Sequence, residues 1–158
     1  MILLRKIFNP LVLLMVLVGF AFSNVTVSLS DVEVDGYTAD IIVPVNLSNP
    51  NDGVGGFQFD VIALPALVQL SDVTPSDEEN FSADFNVFDD GSGRVIFYSD
   101  NATSIGAGGD GVVLNLHFDG SAILSASLDL DIFSLAVSDE DGNILQSSEE
   151  GGSITIGY

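Results

Sequence analysis

The chain of 158 residues contains no cysteine and no tryptophan. Without cysteine it has no disulfide, no thiolate nucleophile and no zinc–thiolate site, so its stability must come from a hydrophobic core. Basic residues are also scarce, with three Lys or Arg against 23 Asp or Glu. All of the acids follow residue 23, and Arg94 is the single base there, so residues 24–158 carry a formal charge of −22.

This charge argues against nucleic acid and anionic membranes as partners, because both bind basic patches. Two interpretations of the acids stay open. They keep the protein soluble in a salty or calcium-containing exterior, or some of them form specific cation sites.

The first 23 residues have the parts of a secretory signal peptide. A basic start precedes an almost wholly apolar run over 7–22, and Ala21-Phe22-Ser23 is a small-x-small cleavage site. The run is roughly 16 residues long, whereas a membrane span usually needs roughly 20. We therefore predict a signal peptide over 1–23 and a secreted, extracellular or cell-surface domain over 24–158, with no membrane contact after cleavage. An uncleaved anchor is the alternative.

Beyond residue 23 the apolar residues form short runs separated by turn signals about every 8–12 residues. In the clearest run, four apolar side chains share one face (Phe57, Phe59, Val61 and Ala63), and Gln58, Asp60 and Ile62 share the other. Nine such strands and no amphipathic helix predict an all-β chain, folded as a β-sandwich of jelly-roll or immunoglobulin-like topology.

Two prolines mark particular points in these strands. Pro65 predicts that sheet pairing ends or shifts edge after the clearest strand, because proline cannot donate to the ladder. Pro44, inside the second strand, predicts an edge position or a bulge there.

No arrangement of residues indicates catalysis, so the chain is predicted not to be an enzyme and to hold no cofactor. His117 is the only histidine, and a lone histidine in a strand is more often structural than catalytic. The acidic run from Asp139 to Asn143 lacks the spacing of a calcium loop and is better explained as a turn.

Four N-x-[ST] sequons occur, at Asn24, Asn46, Asn80 and Asn101. They predict possible glycosylation if the source organism has the machinery.

Several short motifs follow one another between residues 25 and 156. They are Ile42-Val43-Pro44-Val45, Gly55 to Val61 with Pro65 after it, Val73-Thr74-Pro75, Gly109 to Val113, Asp139 to Asn143 and Gly152 to Ile156. In order and spacing these motifs resemble the cohesin modules of cellulosomes and related cell-surface assemblies.

The resemblance implies a nine-stranded jelly-roll sandwich that binds dockerins, which are small calcium-binding helical modules on other proteins. Calcium is then expected on the partner more than on this chain. Cohesins bind through one sheet face, built from their strands eight, three, six and five. Carried over by position, the partner-binding residues would be Gln58, Asp60, Ile62, Phe88, Phe97, Ser99, Asp100, Asp129, Asp131 and Phe133.

Two other functions remain as alternatives. One is a structural subunit of a surface layer or filament that self-associates through sheet edges or an exchanged terminal strand. The other is a carbohydrate-binding module, which is less favoured because such modules stack sugars on exposed aromatic rings. This chain has no tryptophan and only three tyrosines.

Overall fold

The computed structural model describes residues 24–157, so the predicted signal peptide over 1–23 lies outside the described residues. Among them, no helix has the length and apolarity needed to cross a membrane. The described strands are β1 Val25–Leu29, β2 Val32–Asp35, β3 Ile41–Asn49, β4 Gly56–Leu64, β5 Gln69–Pro75, β6 Phe81–Val87, β7 Gly93–Ser99, β8 Gly109–Asp119, β9 Ala126–Ser138, β10 Ile144–Leu145, β11 Ser147–Glu150 and β12 Gly152–Gly157.

The strands form two sheets. The five-stranded sheet has the order β11-β1-β3-β8-β5, and the seven-stranded sheet has the order β2-β12-β9-β4-β7-β6, with β10 paired to β9. The chain is therefore the all-β sandwich that the sequence predicts. Twelve strands are described where nine were predicted, and the short strands β2, β10 and β11 account for the difference.

The core lies between the two sheets and consists of the inward-facing apolar side chains of both. Strand β3 is buried at every odd-numbered position, and β4 buries Phe57, Phe59, Val61 and Ala63, as their alternation predicted. Three phenylalanine rings pack in a stack, with centroids 4.7 Å apart between Phe57 and Phe97 and 4.9 Å apart between Phe81 and Phe97. Burial of this apolar surface is the main stabilising contribution in a chain without disulfides.

Both prolines have the predicted effect. Strand β4 ends at Leu64, immediately before Pro65. Strand β3 lies inside its sheet, between β1 and β8, and its pairing with β8 shifts register between Val45 and Asn46. Of the two possibilities for Pro44, a bulge beside it is therefore the one that occurs.

We expect the melting temperature of residues 24–158 to rise clearly as sodium chloride is added from low ionic strength. The 23 acids repel one another in the folded state, and salt screens that repulsion. Circular dichroism during thermal unfolding at several salt concentrations measures the effect. An unchanged melting temperature would mean that the acids lie too far apart to repel or are neutralised by bound cations.

Candidate partner-binding face

The outer surface of strands β9, β4, β7 and β6 forms one continuous area, here called the front face. These four strands are neighbours in the seven-stranded sheet, so their outward side chains line up in rows across it. One row joins Asp84, Ile96, Gln58 and Ala136, and the next joins Asn86, Arg94, Asp60 and Phe133. The order β9-β4-β7-β6 is the one that the resemblance implies for strands eight, three, six and five.

Strand β4 presents the three residues that alternation placed outward. Gln58 is exposed and Ile62 is half-buried. Asp60 also faces outward, but it is only 6% exposed because Arg94 covers it. A buried carboxylate in the middle of the face was not predicted.

On strand β7 the prediction of Phe97 as a partner-binding residue is wrong. Phe97 is 2% exposed and packs into the phenylalanine stack of the core. Ser99 is half-buried, and its Oγ accepts a hydrogen bond of 2.7 Å from the backbone N–H of Thr103. The outward residues of this strand are instead Arg94, Ile96 and Tyr98.

These three residues were missed because the strand is apolar on both faces from Val95 to Tyr98, so its sequence does not show which face is inward. Pairing decides it, since Ile96 lies opposite Gln58 on β4 and Asp84 on β6, both of which face outward. Ile96 is 40% exposed and Tyr98 is 42% exposed.

Strand β9 presents Asp129, Asp131 and Phe133 outward, as predicted, and Phe133 is 40% exposed. A bulge follows at once. Ser134 has a φ of 56°, and the pairing with β4 shifts register there. The bulge reverses the alternation, so that Ala136 faces outward and Val137 is fully buried.

The turn and loop at the two ends of β7 carry the remaining predicted residues. Phe88 is 37% exposed in the hairpin between β6 and β7, and its ring lies 5.6 Å from Cζ of Arg94. Asp100 is exposed, and one of its oxygens accepts a 2.6 Å hydrogen bond from the Ser82 hydroxyl.

A shallow groove of about 550 Å³ lies at one end of the front face. Its residues include Gln58, Ile96, Tyr98, Ala136 and Ile144. Gly55 and Gly56 are two of its lining residues.

Both glycines are required by close backbone contacts. A Cβ on Gly56 would lie 2.7 Å from the carbonyl oxygen of Phe97, and one on Gly55 would lie 2.6 Å from that of Asp139. Neither position can hold a side chain unless the backbone shifts.

Asp60 and Arg94 form a bidentate ion pair at the middle of the front face. The distances are 2.7 Å from Nε to Oδ1 and 2.8 Å from Nη2 to Oδ2. The hydrogen bond and the charge of Asp60 raise the pKa of the Arg94 guanidinium above its ordinary value. Arg94 is the only Lys or Arg within residues 24–157.

His117 lies on the outer face of the five-stranded sheet, away from the front face. Its Nδ1 is 2.9 Å from Oδ1 of Asp40, and its Nε2 is 2.9 Å from Oγ1 of Thr74. The carboxylate accepts from Nδ1–H, so in the neutral ring Nε2 accepts from the threonine hydroxyl.

This order of groups matches a catalytic triad, but its surroundings do not support acyl transfer. The N–H of Val73 donates to Asp72, and Pro75 has no N–H, so neither neighbour of Thr74 offers a donor to an oxyanion. The two hydrogen bonds connect β5 and β8 to Asp40, the residue just before β3.

The acidic run beginning at Asp139 forms a turn closed by the carboxylate of that residue. Asp139 accepts hydrogen bonds from the N–H groups of Asp141 and Asn143 and from the Asn143 side-chain amide. The side-chain bond from Asn143, followed by the backbone bonds, lowers the pKa of Asp139. Within residues 24–157, no group of three or more His, Asp or Glu side chains is placed to hold a metal ion.

The sequon asparagines differ in exposure. Asn101 is exposed in the loop after β7, whereas Asn24, Asn46 and Asn80 are half-buried. Asn46 donates to the Ser30 hydroxyl and Asn80 donates to Asp77. Of the four, Asn101 is the most accessible to a modifying enzyme.

Comparison with known proteins identifies the family. The model of the cohesin domain family matches residues 25–156. No curated protein sequence matches the chain.

Solved structures of cohesin modules have the same fold. A non-cellulosomal cohesin from Archaeoglobus fulgidus has a TM-score of 0.65 at 24% identity, over 85% of this chain and 91% of that one. The sixth cohesin of scaffoldin B from Acetivibrio cellulolyticus, solved in complex with a dockerin, has a TM-score of 0.66 at 20% identity, over 85% and 99%. A cohesin module of a Clostridium perfringens family 33 glycoside hydrolase has a TM-score of 0.67 at 15% identity, over 85% and 96%.

Proposed function

The chain belongs to the cohesin domain family, and on this premise we propose that it is a secreted, non-catalytic module that binds a dockerin-type partner through the front face. The Acetivibrio cohesin that shares its fold was solved bound to a dockerin. The family is one of binding modules, which agrees with the absence of a catalytic arrangement in the sequence.

The observation that carries the proposal is the exposed apolar centre of the front face. Four such side chains are each 37–42% exposed: Ile96 and Tyr98 on β7, Phe133 on β9, and Phe88 in the hairpin between β6 and β7. Exposed apolar and aromatic side chains gathered in one area are typical of protein–protein interfaces. Tyrosine in particular is enriched among residues that dominate binding energy.

The rim of the front face is acidic. Asp84, Asp129, Asp131 and Asp100 are all exposed around the apolar centre. A complementary partner has apolar residues opposite the exposed apolar side chains of the front face and Lys or Arg opposite its acidic rim. The acids then increase the rate of association at low salt more than they increase the final affinity.

Capture of partners by the immobilised chain tests this function. Residues 24–158 are immobilised on a column, and the secreted and surface proteins of the source organism are passed over it in the presence of calcium. The column is then washed with a chelator. We expect the retained proteins to be released by the chelator and to share a small helical module with calcium loops, because a dockerin needs its calcium to keep its fold.

Two other outcomes would contradict the proposal. Retention of copies of this chain alone, with or without calcium, would favour assembly through sheet edges. Elution by soluble polysaccharide instead of chelator would favour carbohydrate binding.

A further inference from the structure

The middle of the front face holds a closed ion pair instead of a free carboxylate. Both oxygens of Asp60 accept a hydrogen bond from Arg94, at 2.7 and 2.8 Å, and Asp60 is 6% exposed. Paired N–H···O bonds of this kind fix the two side chains in one geometry. A partner lying on the face cannot reach Asp60 unless it displaces Arg94.

Arg94 keeps hydrogen-bonding capacity beyond the bonds to Asp60. Its side chain is 43% exposed. A guanidinium group has five N–H donors, and the pair with Asp60 uses two of them. The ring of Phe88 lies over the group, 5.6 Å from Cζ to the ring centroid. Because 43% of the side chain is exposed, a partner on the front face can reach the guanidinium donors that Asp60 does not use.

The charges around Arg94 limit what the partner can place there. Asp60 and Arg94 together are neutral, and Asp84 and Asp131 are exposed in the neighbouring rows. A carboxylate from the partner would add negative charge to acidic surroundings. A lysine or arginine would cover the donors of Arg94 without giving them an acceptor, which is costly once water is excluded.

Building on the proposed function, we propose that the partner places an uncharged acceptor oxygen against the guanidinium of Arg94. The chemical group is a side-chain amide of Asn or Gln, or a main-chain carbonyl at the C-terminal end of a helix, where carbonyls lack partners within the helix. Arg94 is then the residue that determines specificity at the centre of the face, and Asp60 is a positioning residue behind it. This chain donates hydrogen bonds at the centre and accepts them at the rim.

The first test uses small probes and needs no partner. Residues 24–158 contain both complete sheets and a single arginine, so an NMR spectrum shows one guanidinium Nε–H signal. The chain is titrated separately with N-methylacetamide, sodium acetate and methylammonium chloride at constant ionic strength. We expect N-methylacetamide to shift the Arg94 signal and the Ile96 methyl signals more than acetate does. We expect methylammonium to shift the signals of Asp84 and Asp131 without shifting that of Arg94.

An equal or larger shift of the Arg94 signal by acetate would overturn the inference, and so would an Arg94 signal that responds to neither probe. These results are independent of the capture experiment. Failure to capture a dockerin-type protein contradicts the proposed function, whereas failure of the probes contradicts the chemistry assigned to Arg94.

The second test measures the affinity of the captured partner for two variants by calorimetry. Arg94→Met with Asp60→Leu removes the donors without leaving a buried charge unpaired, and we expect the affinity to fall about tenfold or more. Asp60→Asn keeps the guanidinium, and we expect a much smaller loss. Equal losses in the two variants would contradict the inference, because removal of the donors would then cost no more affinity than removal of the charge that positions them. Melting temperatures of both variants check that the fold is kept.

Discussion

Replacing Ile96 by aspartate is expected to lower the affinity for the captured partner by about 100-fold or more. Ile96 is one of the exposed apolar residues of the front face, and it pairs with Asp84 on the adjacent strand β6. When the partner binds, the new carboxylate would lose its hydrating water with no cation beside it to compensate. It would also lie beside the like charge of Asp84 on the adjacent strand. A 100-fold loss corresponds to about 2.8 kcal/mol of binding free energy. Calorimetry or surface plasmon resonance measures it.

The chain offers a matched control on the opposite sheet. Ile42 is an isoleucine of similar exposure, 46% against 40% for Ile96, on the outer face of β3. Ile42→Asp changes the net charge of the chain by the same amount as Ile96→Asp. Because Ile42 lies outside the front face, we expect its replacement to leave the affinity close to that of the unmodified chain. Equal losses from the two variants would mean that overall charge, and not the front face, governs binding. A loss from Ile42→Asp alone would move the interface to the other sheet.

Replacing Asn49 by aspartate is expected to lower the free energy of unfolding by about 3 kcal/mol or more at pH 7. Asn49 is fully buried at the end of β3. Its Nδ2 lies 2.7 Å from the carbonyl oxygen of Asp52, 3.1 Å from that of Ile105 and 3.0 Å from that of Gly106. Aspartate has nearly the same shape, but it would place an acceptor and a charge against three acceptors.

The loss of unfolding free energy in Asn49→Asp should increase as the pH rises. Burial and the carbonyl oxygens disfavour the charged form, so the pKa of the new carboxyl in the folded state lies above its unfolded value of about 3.9. The difference in unfolding free energy from the unmodified chain is therefore smallest below about pH 4, where both states are protonated, and it grows as the pH rises towards the folded-state pKa. Denaturant unfolding at several pH values measures this difference.

Asn101→Asp is the matched control for this substitution. Asn101 is exposed in the neighbouring loop, and its replacement makes the same change of charge without burying it. We expect its stability to stay close to that of the unmodified chain at every pH. A similar loss in both variants would show that added negative charge, and not the three carbonyls around Asn49, causes the destabilisation.

Asn49 also connects the fold to the groove of the front face. It joins the loop after β3 to the loop before β8, which also bond through Val54 and Ile105 at 2.9 and 2.8 Å. The second loop includes Thr103, which lines the groove. The sequence marks residues 48–53 as a loop, but nothing local in it distinguishes Asn49 from the other polar residues there.

The sequence by itself determined the fold class and the two sides of β4. Apolar and polar residues alternate from Phe57 to Val61, and the side chains of a strand alternate wherever the strand lies, so the inward and outward sets could be read without knowing the neighbours. The motifs between residues 25 and 156 likewise led to the family that the comparison identifies. Both kinds of information are local, or follow from order along the chain.

Only the tertiary structure decided which side of β7 faces the partner. Residues 95–98 are all apolar, so their alternation does not show which face is inward. A shift of one residue would place Phe97 outward in place of Ile96 and Tyr98. Pairing with β4 and β6 fixes the register. The same pairing brings Arg94 to Asp60, 34 residues away, and turns an expected free carboxylate into a buried ion pair. Contacts between distant strands depend on how the sheets assemble, and no local pattern in the sequence records them.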